Sequence, residues 1–324
     1  MNKRQHALIL AGGDGKRLWP LSKKDFPKQF LRFGNRDSLL QETVRRCSNF
    51  PSIVVSTNAA MEGLVREQLQ GFDVHILVEP CRKNTGPAIG LGVRWIEERF
   101  GDEPILVLPS DHLIEGTFSE ALGYGMAAAV EKIVAFGIRP TKPETGYGYI
   151  RMGEAWNRHC FEVDAFIEKP ELERAIGFVQ DTRYLWNSGM YAFTPSVFWE
   201  QAEEHYPEIC QFSDFEDLTD ISIDYALMEH VRGMLVCPLP VVWSDIGSWE
   251  SVYTMMPKDT NQNAKTGHVI DIGTKNCLIL GGKRVISTLG VEDLVIIDTD
   301  EAILIAKKSD AEKVREIADA YTNR

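Results

Sequence analysis

The chain has 324 residues, 44% of them hydrophobic, with 47 acidic against 35 basic side chains, a net charge of −12 and a pI near 5.2. That length buries a core large enough for one big domain plus a small one. The acidic balance excludes the broad basic surface that a nucleic acid polymer or an anionic membrane requires, and leaves room for a compact anionic ligand. Six cysteines, at 47, 81, 160, 210, 237 and 277, are scattered without a CxxC pair or nearby His pairs. That spacing argues against a zinc site or a disulfide scaffold and for free thiols in a reducing compartment. The N-terminus runs MNKRQ into a short apolar strand, far less than the roughly 18 apolar residues of a membrane span. The expectation is a cytoplasmic protein.

Positive charge is concentrated at the start. Residues 1–36 hold nine Lys/Arg against two Asp, a local +7 that leaves −19 for the rest. The stretch LILAGGDGKRLWPLSKKDFPKQF (8–30) sets Lys16, Arg17, Lys23, Lys24 and Lys28 beside an apolar strand and a glycine turn at Gly12, Gly13 and Gly15. It matches neither GxGxxG, since Leu18 stands at the third glycine, nor a P-loop, since Lys16 is not followed by Ser or Thr. A strand ending in Gly-Gly-x-Gly can cradle phosphate on its N–H groups and let a base or ribose approach. A glycine turn beside solvated lysines is the competing reading.

Further apolar runs follow in IVVST (53–57), VHILVE (74–79), ILVLPS (105–110) and KIVAFGI (132–138), separated by the helical patterns SLLQETVRRC, MEGLVREQLQ and AIGLGVRWIEERF. This alternation predicts an α/β fold built on an open, mainly parallel sheet, with ligands at the carboxyl ends of its strands. From about residue 145 the pattern loosens into glycine-punctuated strands and helical stretches around PSVFWEQAEEHY and SIDYALMEHV. After the polar segment PKDTNQNAKTG come closely spaced β runs and a final amphipathic helix, DAEKVREIADAY. A boundary near 262 divides the chain into a catalytic domain, 1–262, and a small β-rich domain, 263–324.

Several stretches add chemistry to strand ends. EPCRKNTGPAIG carries Glu79 and then Asn84, Thr85 and Gly86, opening a helix with Pro87. LPSDH ends in Asp111, and WSDIGSW supplies Asp245. Two carboxylates at separate strand ends suit Mg²⁺, which takes one or two protein oxygens and fills its octahedron with water and phosphates; for each Asp alone, a capping or turn role competes. TGYGYI with Gly148, FIEKP with Glu168 and Lys169, and YLWNSGMYAF with Asn187 place a carboxylate, an ammonium and an amide on otherwise apolar strands. Together they suit a sugar-phosphate site. A surface salt bridge plus a turn asparagine is the alternative. Trp19, Trp186, Trp243 and Trp249 read as packing, and His112 as a locally bonded side chain.

The ordered set LILAGGDGKRLWPLS, PKQF, NTGPAI, LPSDH, TGYGYI, FIEKP, YLWNSGM, SIDYALME and WSDIGSW resembles the mannose-1-phosphate guanylyltransferases, over essentially the whole chain. Lys23 and Lys83 stand where such proteins often have Arg, and Gly86 where Ala is usual. The resemblance implies a Rossmann-like nucleotide-diphospho-sugar transferase fold and a C-terminal domain like a left-handed β-helix, a possible dimerisation element. It marks the short form, without an isomerase domain. It implies transfer of GMP from GTP to α-D-mannose 1-phosphate, Mg²⁺ as cofactor and a homodimer. In that scheme Gly12, Gly13, Gly15, Glu79, Asn84, Thr85 and Gly86 hold GTP, and Arg17 and Lys28 bind its phosphates. Gly148, Glu168, Lys169 and Asn187 hold the mannose phosphate, while Asp111 and Asp245 hold the metal. Transfer to another sugar 1-phosphate, glucose or a heptose, and a catalytically silent nucleotide-sugar-binding subunit are the alternatives.

Overall fold

The computed structural model describes residues 4–13, 16–33, 37–117, 119–212 and 214–322, the side chains of Lys16 and Thr322 aside. In chain order the elements are β1 (His6–Leu10), α1 (Leu39–Arg46), β2 (Ser52–Asn58), α2 (Glu62–Gln68), β3 (His75–Glu79), α3 (Thr85–Phe100), β4 (Ile105–Pro109), β5 (Leu113–Glu115), α4 (Ser119–Ala128) and β6 (Val134–Ile138). Then follow β7 (Tyr149–Ala155), β8 (Phe161–Ile167), α5 (Leu172–Gln180), β9 (Tyr184–Phe193), α6 (Pro195–His205), β10 (Leu235–Leu239), β11 (Val242–Ser244) and α7 (Trp249–Met255). The chain ends in β12 (Ala264–Thr266), β13 (Val269–Ile272), β14 (Leu278–Leu280), β15 (Ile286–Leu289), β16 (Leu294–Asp298), β17 (Ile303–Lys307) and α8 (Val314–Thr322).

Packing groups these elements into two compact units, whereas the sequence suggests one cut near 262. The first holds the chain up to Gly12, Thr43–Ser110 and Ile114–Trp243; the second holds Gly13–Glu42, Asp111–Leu113 and the chain from Ser244.

In the first unit the apolar runs form one nine-stranded sheet in the order β3-β2-β1-β4-β9-β6-β10-β8-β7. Strands β3, β2, β1 and β4 are mutually parallel, as βαβ alternation requires. The ten-residue β9 enters antiparallel between β4 and β6, and β8 runs antiparallel to β10 and β7. The sheet is therefore mixed: four of its strand pairings are parallel and five antiparallel, with β8 and β9 running against the other seven strands. Strand β1 is buried along almost its whole length, as a central strand covered on both faces should be. The α3 face contributes Ile89, Val93 and Ile96 to a core shared with Leu8, Val54 and Val107.

In the second unit β12, β14 and β16 stack in parallel with Ala264, Leu278 and Val295 in successive register, and β13 stacks on β15. This is the arrangement of successive β-helix coils, closed by the antiparallel β17. Leu278, Val295 and Ile297 meet Leu18, Leu31 and the fully buried Trp249 in the unit's core. Among the described residues no helix is long and apolar enough to cross a membrane.

Among the buried polar groups without a partner is a histidine in the central strand. His6, at the start of β1, is 1% exposed, both ring nitrogens lack hydrogen bonds, and the ring stacks on Phe100 at 4.4 Å between centroids. Burial, then nearby Arg4, pulls its pKa from 6.5 down to about 4. Between these values the unfolded chain binds the extra proton. The stabilisation is full above pH 6.5 and lost as pH falls toward 4, at most roughly 3 kcal/mol. His6→Phe keeps the stack and should flatten that acid limb in thermal melts across pH 4 to 7; an unchanged slope would exclude His6 as its source.

Candidate active site

At the strand ends of the first unit the chain builds a close-set cradle. Ala11 N donates to Ser56 O at 2.7 Å, Thr57 Oγ1 to Ala11 O at 3.2 Å and Asn58 Nδ2 to Gly12 O at 3.1 Å. A Cβ on Gly12 would stand 3.4 Å from Glu79 Oε1. Glu79 is 4% exposed, and Ser56 Oγ donates to its Oε1 at 2.9 Å. Burial raises the Glu79 pKa, and the Ser56 hydrogen bond and Arg82 only moderate the rise. Asn84 has φ 66° and ψ −170°, a region nearly reserved for glycine. From there its side chain caps α3 by accepting from Thr85 N at 3.0 Å. Gly86 N is already committed to Ile221 O at 3.0 Å, and Thr85 Oγ1 accepts from Ile223 N at 2.9 Å. These two residues thus fix the loop's shape, which also explains Gly86 where Ala is usual: a Cβ would lie 2.8 Å from Ile221 O.

Elsewhere in the same unit Gly148, Glu168, Lys169 and Asn187 come together. A Cβ on Gly148 would stand 2.4 Å from Glu168 Oε2 and 3.1 Å from Asn187 Cβ, so only glycine allows this approach. The Glu168 side chain is 8% exposed; Oε1 pairs with Lys169 Nζ at 2.8 Å while Oε2 has no partner. Burial raises the Glu168 pKa, Lys169 opposes the rise, and Asp224 and Glu229 add to it. Lys169 has φ 43°. Asn187 Nδ2 donates to Asp224 Oδ1 at 2.8 Å and to the Tyr191 hydroxyl at 2.9 Å. Tyr147, Trp186 and Trp243 pack edge to face in one aromatic cluster, in line with a packing role. Asp224, Tyr191 and Glu229 were not singled out from sequence.

The second unit gathers the charges. Lys28, on the short helix Lys28–Phe30, is 5% exposed. Its ammonium pairs with Asp111 Oδ2 at 2.7 Å and donates to the Asp245 main-chain oxygen. Burial would raise the Asp111 pKa, but Lys28 and His112 outweigh it and hold the carboxyl below the ordinary range. Gln29, 1% exposed, donates to Gly13 O at 3.0 Å. Asp245 Oδ1 accepts from Gly247 N at 2.9 Å, and the intervening Ile246 has φ 49°, an outlier for a β-branched residue. Arg17 is exposed, and Lys23 is paired with Glu301. The cations of the opening stretch are thus not one unneutralised cluster: Lys28 and Lys23 each face a carboxylate. Gly15 lies outside the described residues, as does the side chain of Lys16.

No cluster of three or more His, Cys, Asp or Glu able to hold a metal occurs among the described residues. Asp111 and Asp245 nevertheless offer hard oxygen donors around one lysine, with Asp111 kept ionised. That fits a Mg²⁺ ion that takes one or two carboxylates and completes its shell with water and phosphate.

The nucleotidyl transferase family matches residues 6–262, and the mannose-phosphate isomerase/GMP-like β-helix domain matches residues 267–320. The mannose-1-phosphate guanylyltransferase of Salmonella muenchen is 37% identical over 96% of this chain and 72% of its own length. The alginate biosynthesis protein AlgA of Pseudomonas aeruginosa is 36% identical over 96% of the chain and 70% of its own. The chain belongs to the nucleotidyl transferase family, in its mannose-1-phosphate guanylyltransferase branch. A crystal structure from Thermus thermophilus described as a mannose-1-phosphate geranyltransferase superposes with TM-score 0.92 at 31% identity, over 98% of this chain and 99% of that one. Nucleotidyl transferases generally use a divalent metal.

Within this nucleotidyl transferase frame, Glu79 is an acceptor maintained against the cost of burial. Glu79→Gln removes that cost and should raise the melting temperature at pH 7. The gain should vanish well below the ordinary glutamate range, where Glu79 is protonated in both states. A variant equally stabilised at every pH would show that the buried charge is not the cause.

Proposed function

We propose that this chain transfers GMP from GTP to α-D-mannose 1-phosphate, releasing pyrophosphate and forming GDP-mannose. A phosphate oxygen of the sugar phosphate attacks the α-phosphorus; the new P–O bond forms as the bond to the β-phosphate bridge breaks, and its electron pair leaves with pyrophosphate. The attacking oxygen is already anionic, so the protein needs no general base. Its task is to align two polyanions and neutralise their charge.

The observation that carries this reading is where the backbone is strained. Of the six described non-glycine residues with positive φ, three, Asn84, Lys169 and Ile246, lie in NTG, EKP and SDIG, stretches that carry the family resemblance, and the other three, Gln262, Asn276 and Asp293, lie at or beyond residue 262. Such conformations cost about 1–3 kcal/mol each and collect at functional sites. In this reading Gly12, Gly13, Gly15, Glu79 and the Asn84–Gly86 loop hold the nucleoside, Arg17 and Lys28 its phosphates, and Gly148, Glu168, Lys169 and Asn187 the mannose phosphate. Asp111 and Asp245 would hold Mg²⁺, which supplies charge neutralisation at the phosphates. The catalytic domain spans residues 1–262. A panel of nucleoside triphosphates and sugar 1-phosphates read as pyrophosphate release tests this; turnover of dTTP with glucose 1-phosphate but not of GTP with mannose 1-phosphate would reject it.

The free thiols of all six cysteines support a reducing, cytoplasmic setting. The β-helix domain, 263–324, also supports a homodimer. On its β13–β15 face Ile272 and Leu289 are register neighbours, 62% and 75% exposed, with Ile270 beside them at 56%. Contiguous outward apolar residues of this kind mark association surfaces. Leu289→Lys should halve the mass seen by light scattering, and an unchanged mass would remove this face from the interface.

Asp245→Asn keeps an oxygen to accept from Gly247 N, so the turn should survive while the charge is lost. Its kcat should fall roughly a hundredfold or more, with GTP affinity measured without metal little changed. Lys169→Ala should instead raise KM for mannose 1-phosphate and spare KM for GTP. Near-normal turnover of Asp245→Asn at limiting Mg²⁺, or a Lys169→Ala defect confined to GTP, would undo the respective assignment.

A further inference from the structure

The stretch Asp224–Met228 is a π-helical turn, closed by Glu229 N donating to Asp224 O at 3.0 Å. On a regular α-helix five residues rotate through about 500°, which would leave Asp224 and Glu229 about 140° apart. Closure from i to i+5 brings both acidic side chains to one side of the turn. There they meet the sugar-side residues. Asp224 Oδ1 accepts from Asn187 Nδ2 at 2.8 Å and from the Tyr191 hydroxyl at 2.5 Å. Glu229 Oε1 accepts from Glu168 N at 3.2 Å. Between them, the Tyr225 ring centroid lies 5.5 Å from Lys169 Nζ.

The consequence for Asn187 is a fixed amide. Its nitrogen faces Asp224 and Tyr191, and its oxygen accepts from Gly189 N at 3.0 Å. Tyr191 is 1% exposed, and burial followed by Asp224 pushes its phenol well above the ordinary range, so it stays a donor. Glu168 has its main chain tied by Glu229 and its buried Oε2 without a partner. An amide and a carboxylate read hydroxyls by direction. An epimer that turns a hydroxyl away leaves a buried polar atom unpaired, but this penalty exists only while the reading groups cannot follow the ligand.

We propose that this π-turn is a positioning element that sets which hexose 1-phosphate is accepted, with Asp224 and Glu229 as its positioning residues. The inference rests on the sugar-phosphate reading of Glu168, Lys169 and Asn187 given above. Removing Asp224 frees Asn187 and Tyr191 to turn, so both substrate affinity and discrimination fall, while the nucleotide side keeps its own contacts.

The test is steady-state pyrophosphate release with GTP and either mannose 1-phosphate or its C2 epimer glucose 1-phosphate, on wild type, Asp224→Ala, Asp224→Asn and Tyr191→Phe, with thermal melts of each. In Asp224→Ala the ratio of kcat/KM for mannose over glucose phosphate should drop at least roughly tenfold, with KM for mannose 1-phosphate up by a similar factor and KM for GTP within about twofold. Asp224→Asn retains an acceptor and should recover part of both effects. Tyr191→Phe should lower the ratio less, and with Asp224→Asn it carries the test if Asp224→Ala does not fold. A lowered melting temperature with an unchanged ratio, or an equal rise in KM for GTP, would reduce the turn to a structural role and overturn the proposal. Wild type inactive on GTP and mannose 1-phosphate would overturn the reading beneath it instead.

Discussion

Lys28 is an ammonium held almost out of water, and the arrangement of the second unit's charges follows from what that demands. Desolvating an ammonium costs several kcal/mol and is offset only by close, well-directed oxygen partners. The partners are Asp111 Oδ2 and the Asp245 main-chain oxygen. One side chain therefore draws the ends of two distant segments, LPSDH and WSDIGSW, to a common point. The Lys28–Asp111 ion pair is locally neutral, so it adds no net charge to the point where the two segments meet.

The first unit meets the same constraint with acids. Glu79 and Glu168 are both buried, and both have raised pKa values because their compensation is incomplete. Ser56 gives Glu79 one hydrogen bond, and Lys169 gives Glu168 one ion pair. Partial compensation makes a buried group costly when alone and effective when a ligand completes its shell. Glu168 Oε2 has no partner, and both carboxylates lie at strand ends, Glu79 closing β3 and Glu168 following β8.

Much of this was legible in the chain and some was not, for identifiable reasons. Apolar runs such as HALILA and ILVLPS fix parallel strands because burial on both faces leaves no alternation to obscure them. Glu168, Lys169 and Asn187 stand out as polar residues beside apolar runs; Asn187 lies on β9, whereas Glu168 and Lys169 lie just past the end of β8 rather than within it, and the structure brings all three together with Gly148. Asp224, Tyr191 and Glu229 escaped notice. SIDYALMEHV reads as an ordinary amphipathic helix, and nothing in its spacing announces that one turn closes from i to i+5. The pairing of Lys23 with Glu301 was invisible because it links residues far apart in sequence, whereas counting charge along the first 36 residues sees only one partner. Residues 13–42 fall in the same compact unit as the C-terminal segment, a grouping that spacing along the chain does not announce, for the same reason.

Ile246 shows how such strain is held. A β-branched residue at φ 49° carries a cost of about 1–3 kcal/mol. Yet its side chain is 1% exposed, set in the core with Leu18, Leu31 and Trp249. Fully burying an isoleucine contributes about 1.5–3 kcal/mol relative to leaving it in water, so burial and strain nearly balance. Glycine would relieve the backbone but forfeit the anchor, and Asn or Asp would tolerate the angle but not the core. Isoleucine there keeps the turn rigid at little net cost. That rigidity fixes the adjacent carboxylate, because the Asp245 main chain is tied to Lys28 on one side and to the hydrophobic core through Ile246 on the other.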